Sequence, residues 1–273
     1  MRLSESQVWQ FQKTVYAYFD RSGRTRLPWR RARRTPYHIF ISEIMLQQTQ
    51  VDRVVEKFEL FIRTFKNFQS LAAAPFSSVL AVWHGLGYNR RARYVHQAAQ
   101  TIVRDHRGRL PADPEILATL PGIGRATAAS ICAFAFSMSI VFIETNIRSV
   151  FIHHFFHDRK NVPDTAIEPL VAATLDRHDP YRWYSALMDY GVYLKKTVAN
   201  PSRKSTHYVK QSRFEGSARQ VRGRIIKRLL EEGPAMTRVI QKACNDDTRV
   251  AGILEQLKDE GLIVMKKTRW TIA

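Results

Sequence analysis

The groups in this chain whose spacing alone suggests chemistry are the backbone amides of one turn. Leu120-Pro121-Gly122-Ile123-Gly124-Arg125-Ala126-Thr127-Ala128 lies between a short helical segment and a longer apolar one, so its glycines fall at the bend. Glycine permits positive φ and lets another backbone come close. The amides that open the following helix then point outward without intrahelical partners, and the helix dipole favours an anion there. Such a turn anchors a phosphate without reading what is attached to it. Taken alone, it serves equally well as a routine helix connection.

Other side chains with chemical potential are sparse. Cys132 and Cys244 are too few for a disulfide framework and lack the close spacing of a zinc or iron-sulfur site, so both are read as small apolar fillers. His153, His154 and His157 form the one dense histidine cluster, and His153 and His157 share a helix face. With no third and fourth ligand nearby, an ordinary packed or solvated helix accounts for them better than a metal site.

The chain that must position these groups has 273 residues, 45% of them hydrophobic, and carries 43 Lys and Arg against 24 Asp and Glu. That content buries a core, and the formal charge of +19 attracts polyanions, nucleic acid first. No stretch approaches the ~20 apolar residues of a membrane span. Met1 to Asp20 is interrupted by Glu5, Gln7, Gln10 and Asp20, unlike a secretory signal. The cytoplasm is the expected compartment, with nucleic acid and no membrane as partner.

Helical periodicity is strongest from Val51, with Val54, Val55, Phe58, Phe61 and Ile62 on one face. Similar patterns cover residues 79–83, 95–103, 126–136, 147–156, 166–175 and 183–194. Gly85-Leu86-Gly87, the Pro121–Gly124 turn and Asp179-Pro180 break them. Residues 201–216 are polar and basic and read as a linker. Beyond them, helices near 218–230, 236–243 and 248–259, then two short strands around the basic turn Lys266-Lys267-Thr268-Arg269, predict a winged helix-turn-helix spanning 217–273. A protein-contact module has the same shape.

Five blocks in order resemble a family: Pro28-Trp29-Arg30, Ser42-Glu43-Ile44-Met45-Leu46-Gln47-Gln48-Thr49-Gln50-Val51, Gly85-Leu86-Gly87-Tyr88, Leu120 to Ala128, and Ala186-Leu187-Met188-Asp189-Tyr190-Gly191. Together they are similar to the helix-hairpin-helix DNA glycosylases, and to the adenine glycosylases of the MutY type more than to endonuclease III. The resemblance implies a mostly α, two-lobed fold: an N-terminal helix (1–27) packing with the second lobe, a helix-hairpin-helix lobe (28–138), and a second helical lobe (139–200). It implies that Glu43 protonates the departing base, that Gln48 and Tyr88 wedge into the duplex, and that Trp29 and Arg30 line the base pocket. Gly122, Gly124, Arg125 and Thr127 would grip the DNA backbone, with a monovalent cation held by main-chain carbonyls as an option and no cofactor required.

The chemistry explains the residue types independently. Breaking an N-glycosidic bond creates a cationic sugar and an anionic leaving base, so a protonated carboxyl aids departure while a carboxylate opposes the cation. The target lies inside a stack, so the nucleotide must be extruded, most easily from a mispair.

This chain departs from the family in four places. Glu144, in Ile143-Glu144-Thr145-Asn146, stands where the family has a catalytic aspartate at a helix start, leaving Asn146 or Thr145 to cap that helix. Ala126 stands where bifunctional members carry a Schiff-base lysine, so strand cleavage is not expected. The stretch Lys195-Lys196-Thr197-Val198-Ala199-Asn200-Pro201 has no cysteine for the family's iron-sulfur cluster. The C-terminal module differs from the nucleotide-hydrolase-like domain of MutY proteins. The leading reading is a monofunctional glycosylase, a nucleoid-associated monomer with double-stranded DNA as its partner, excising adenine mispaired with guanine or 8-oxoguanine in base excision repair. Its alternatives are the same fold acting on uracil, thymine opposite guanine, hypoxanthine or a modified pyrimidine, and a non-catalytic DNA-binding or regulatory protein.

Overall fold

The computed structural model describes residues 2–273. In chain order the elements are α1 (Glu5–Ser22), a 3-10 turn at Pro28–Arg30, α2 (Pro36–Leu46), α3 (Val51–Thr64), α4 (Phe68–Ala73), α5 (Phe76–Trp83), α6 (Arg90–His106) and α7 (Pro114–Thr119). There follow α8 (Arg125–Phe136), α9 (Thr145–Phe155), α10 (Asp164–Thr174), α11 (Pro180–Thr197), a 3-10 turn at Pro201–Lys204, α12 (Ala218–Glu232), α13 (Thr237–Ala243) and α14 (Val250–Asp259). The strands β1 (Ile263–Lys266) and β2 (Arg269–Ile272) close the chain. The fold is mostly helical, as its periodicity predicts. Among the described residues, no helix is long and apolar enough to cross a membrane.

One compact unit comprises the chain through Glu43, Pro111–Thr119 and Ile123–Lys210. Helix α1 starts with a capping box in which Ser4 Oγ accepts from the Gln7 amide and Gln7 Oε1 accepts from the Ser4 amide. Its buried Phe11 lies 5.2 Å from the Phe151 ring of α9 and 5.9 Å from Trp183 of α11. Burying side chains of this size stabilises the fold by about 1.5–3 kcal/mol each. Helix α9 approaches α11 so closely that a Cβ on Gly191 would sit 2.4 Å from the Asn146 carbonyl oxygen, which makes glycine obligatory there.

Helix α8 buries every residue from Ala128 to Phe134, and the all-round apolar surface draws it into this core beside α11. Glu43 and α8 therefore share a unit with α9–α11, whereas the sequence division grouped residues 28–138 as one lobe. The segment after α11 also departs from expectation. Residues 201–205 are not linker: Pro201, Ser202 and Ser205 are buried, Ser202 Oγ lies 2.5 Å from Ser149 Oγ of α9, and the Val162 amide donates to the Lys204 carbonyl at 2.8 Å. Hydroxyl packing and a short β-bridge tie this cysteine-free stretch down.

The other unit comprises Ile44–Leu110, Leu120–Gly122 and Gln211–Ala273. Helix α3 turns Val54, Phe58 and Phe61 inward, and α5 adds Val79, Leu80 and Trp83. The C-terminal helices bury Val221, Ile225, Ile226 and Leu229 from α12 and Val250, Ile253, Leu254 and Leu257 from α14. β1 and β2 pair antiparallel from Ile263 opposite Ile272 to Lys266 opposite Arg269. Trp270 Nε1 donates to Thr237 Oγ1 at 2.9 Å, pinning the hairpin to α13. This segment joins the unit of α3–α6 instead of standing apart: Gln211 Nε2 donates to the Tyr88 hydroxyl, and Arg93 packs over Gly261.

Candidate active site

Helix α2 buries Ile39, Phe40, Ile41, Ile44 and Met45, which leaves the partly buried Glu43 on its remaining face. Ser130, 5% exposed on α8, donates its hydroxyl to Glu43 Oε2. Burial pushes the Glu43 carboxyl up to about 7, the Ser130 donor opposes the shift, the Glu144 charge adds to it and Arg30 opposes it. A carboxyl poised there is shared between acid and carboxylate at neutral pH, as a group that first gives and then takes a proton requires.

Glu144 itself caps α9, in place of the Asn146 or Thr145 expected. Its backbone is extended, at φ −119°, and the extra methylene lets Oε1 reach the Asn146 amide at 2.6 Å and the Ile147 amide at 2.9 Å. Asn146 Nδ2 donates to Oε2 at 3.1 Å, so both oxygens are fixed. Burial raises this carboxyl, while the two amides, Lys195 and Arg148 favour its charged form.

Trp29 is 5% exposed in its 3-10 turn. Arg30 Nη1 pairs with Asp189 Oδ2 at 2.7 Å, and Asp189 also accepts from the Arg24 amide at 2.7 Å and from Arg24 Nε at 2.8 Å. The guanidinium of Arg30 is thus held by a buried carboxylate, one that two arginines must compensate. Asp189 lies in a matched block that assigns it no role, and Ser130 lies outside all of the matched blocks. The available signal was spacing: Ser130 follows Ala126 by one helical turn and presents a hydroxyl on the same face.

At the phosphate-type turn, only Gly122 has positive φ, at 75°, and a Cβ there would lie 2.6 Å from the Tyr94 ring. Gly124 instead has φ −87° and is the N-cap of α8; a Cβ there would meet open space. The expectation that both glycines permit positive φ is corrected at Gly124, where absence of bulk is what remains. No side chain caps α8, whose first turn holds Arg125 and Thr127 and no acidic residue. Gln48 (φ 56°) is exposed and Tyr88 (φ 49°) is 38% exposed; both have left-handed backbone. His154 of the histidine cluster pairs with the Tyr190 hydroxyl at 3.0 Å, and no group of three or more possible metal-ligating His, Cys, Asp or Glu side chains occurs among the described residues.

Residues 41–171 match the family described as HhH-GPD superfamily base excision DNA repair protein. An adenine DNA glycosylase of Mycolicibacterium smegmatis is 32% identical over 242 residues, covering 82% of this chain and 82% of that protein. This chain belongs to the HhH-GPD superfamily. An adenine DNA glycosylase of Buchnera aphidicola subsp. Baizongia pistaciae is 34% identical over 188 residues, 67% of this chain and 52% of that protein. The chain spans about half the length of several such curated relatives. A thermostable thymine-DNA glycosylase of known structure shares the fold, with a TM-score of 0.60 at 23% identity over 73% of this chain and 90% of that one. The HhH-GPD match contains Glu43, Gln48, Tyr88, the Gly122–Thr127 turn and Glu144. Trp29, Arg30 and Asp189 lie outside it.

Proposed function

We propose that this HhH-GPD protein is a monofunctional DNA N-glycosylase that excises a mispaired base, adenine opposite guanine or 8-oxoguanine first. The observation that carries this is Glu43, held by Ser130 with its carboxyl near neutrality, together with the amide-bound Glu144 whose charge would add to that shift. Protonated Glu43 gives its proton to the base as the C1′–N bond breaks and the bonding electrons leave with the base. Glu144 stabilises the sugar cation, water adds to C1′, and its proton returns to Glu43. Ala126 offers no amine for a Schiff base, which supports base release without strand cleavage. The uncapped start of α8 suits a DNA phosphate. A cation at this turn would be held by neutral main-chain oxygens such as that of Gly122, whose carbonyl meets Gln47 Nε2 at 3.5 Å.

A second reading, excision of a deaminated or otherwise modified base, is favoured by Glu144 and Ala126 in place of the residues the resemblance implies. Both readings are tested by one panel of duplexes carrying A:8-oxoguanine, A:G, U:G, T:G, hypoxanthine and modified pyrimidines, with alkali to reveal abasic sites. Adenine release that becomes strand cleavage only after alkali is the expected result. Release of another base selects the second reading, and no release from any duplex refutes the enzyme.

Two further outcomes are expected. Ser130→Ala removes the donor that favours ionised Glu43, so the alkaline midpoint of single-turnover base release moves to higher pH. An unshifted midpoint would remove Ser130 from the proton-handling machinery. Replacing exposed Arg224 and Lys227 of α12 by alanine reduces the slope of log binding constant against log salt by about 2 if both meet phosphates. An unchanged slope would assign the C-terminal module to a protein partner.

A further inference from the structure

Arg91, in the first turn of α6, is 7% exposed in a chain whose other arginines are mostly solvated. Its Nη1 donates to the carbonyl oxygens of Ile44 at 2.9 Å, Met45 at 2.8 Å and Gln47 at 2.6 Å. Its Nη2 donates to Thr49 Oγ1 at 2.9 Å and to the Gly87 carbonyl oxygen at 3.1 Å. The oxygens near the end of α2 are ones that helix geometry leaves without intrahelical partners, and a cation there also suits the helix dipole. Burial lowers Arg91 only to about 10, so it stays charged at neutral pH.

The two turns that this side chain joins are the ones that carry Gln48 and Tyr88. Gln48 lies between Gln47 and Thr49, both bonded to Arg91, and Tyr88 follows the bonded Gly87. Gln48 and Tyr88 each hold left-handed backbone, which non-glycine residues adopt at a cost, and such a turn persists only where its surroundings over-determine it. The guanidinium also sits 5.4 Å from the Tyr88 ring centroid and 5.3 Å from that of Trp83. The two terminal nitrogens of one planar guanidinium thus reach oxygens of both turns at once, which a single ammonium does not.

We infer that Arg91 is a positioning residue for base extrusion: it locks the Gln48 and Tyr88 turns to each other so that both side chains enter the duplex as one wedge. This rests on the glycosylase reading above. A lysine at 91 keeps the charge but presents a single ammonium, which cannot hold both turns.

The test uses the full chain and two duplexes: adenine opposite 8-oxoguanine, and the same adenine opposite a tetrahydrofuran abasic analogue, where no base pair has to be broken. Extrusion is followed separately from chemistry by the fluorescence of 2-aminopurine at the target position. Arg91→Lys is expected to slow single-turnover release from the paired duplex by about 30-fold or more and from the unpaired one by less than about threefold, with the 2-aminopurine rise lost. Thr49→Val, which removes one acceptor and leaves the buried charge in place, gives the same pattern at about three- to tenfold and covers the case in which Arg91→Lys fails to fold. Equal losses on both duplexes for Thr49→Val, or wild-type extrusion by a folded Arg91→Lys protein, overturn the inference. A wild-type protein that extrudes 2-aminopurine in an Arg91-dependent way yet releases no base refutes the glycosylase reading and leaves the positioning role standing.

Discussion

Glu43→Gln is expected to abolish base release, by about three orders of magnitude or more, while duplex affinity changes only a few-fold. The amide keeps the volume of the side chain and a hydrogen-bond acceptor for Ser130, but it has no proton to give the leaving base and no basic oxygen to take one from water. Single-turnover assays with filter-binding controls measure both halves, and retained turnover removes Glu43 from the mechanism. Because burial holds this carboxyl near 7, the wild-type rate is expected to be flat below neutrality and to fall about tenfold per pH unit above it. The same shift has a consequence for stability. A carboxyl whose folded pKa lies above its unfolded value favours the fold fully below the unfolded value, near 4.5, and that contribution is lost as pH rises through about 7. Glu43→Gln is therefore more stable than wild type at about pH 8, by roughly 1–2 kcal/mol after screening by the water that reaches this partly buried side chain, and no more stable at about pH 4. Thermal unfolding at the two pH values checks the sign.

Glu144→Gln is expected to cost about a hundredfold in rate with little loss of stability, and Glu144→Ala the same rate plus about 1 kcal/mol. The two substitutions separate the functions that this residue combines. Glutamine keeps an oxygen for the Asn146 and Ile147 amides and so keeps the cap, but it carries no charge to oppose the sugar cation. Alanine loses both. Full turnover in the glutamine variant would reduce Glu144 to a helix cap. Glu144→Asp tests the added methylene directly: aspartate is a favoured N-cap and keeps the charge, so any loss of rate reports a displaced carboxylate, for which about 1 Å is enough to cost a hundredfold.

Much of this protein was legible before folding. Helical periodicity around Val51, Val95 and Trp183 placed α3, α6 and α11, because an amphipathic face is a local property that a sequence window contains. The three C-terminal helices and the strands at Ile263 and Arg269 followed from the same patterning plus a short basic turn. Misreadings arose where tertiary contacts overrode local character. Residues 201–205 look like linker by composition, yet Ser202 buries its hydroxyl against Ser149 of α9 and the backbone around Ser205 bridges to Val162. Gly124 looks like a positive-φ glycine beside Gly122, yet its backbone is ordinary and only its lack of bulk distinguishes it.

The sequence by itself singled out the candidate reacting group and its chemical class. Glu43, Gln48, Tyr88, the Gly122–Thr127 turn and Glu144 sit in ordered blocks, and a residue type at a fixed spacing is one-dimensional information. What the sequence could not carry is the state of those groups, since a pKa and a rotamer are set by neighbours that are distant along the chain. Ser130 meets Glu43 across 87 positions, and Asp189 holds Arg30 across 159. Arg91 reaches the end of α2 across more than 40. Glu43 is poised near neutrality, and the turns of Gln48 and Tyr88 are tied to each other, only when folding removes water from the first and lets a single buried guanidinium bind the other two.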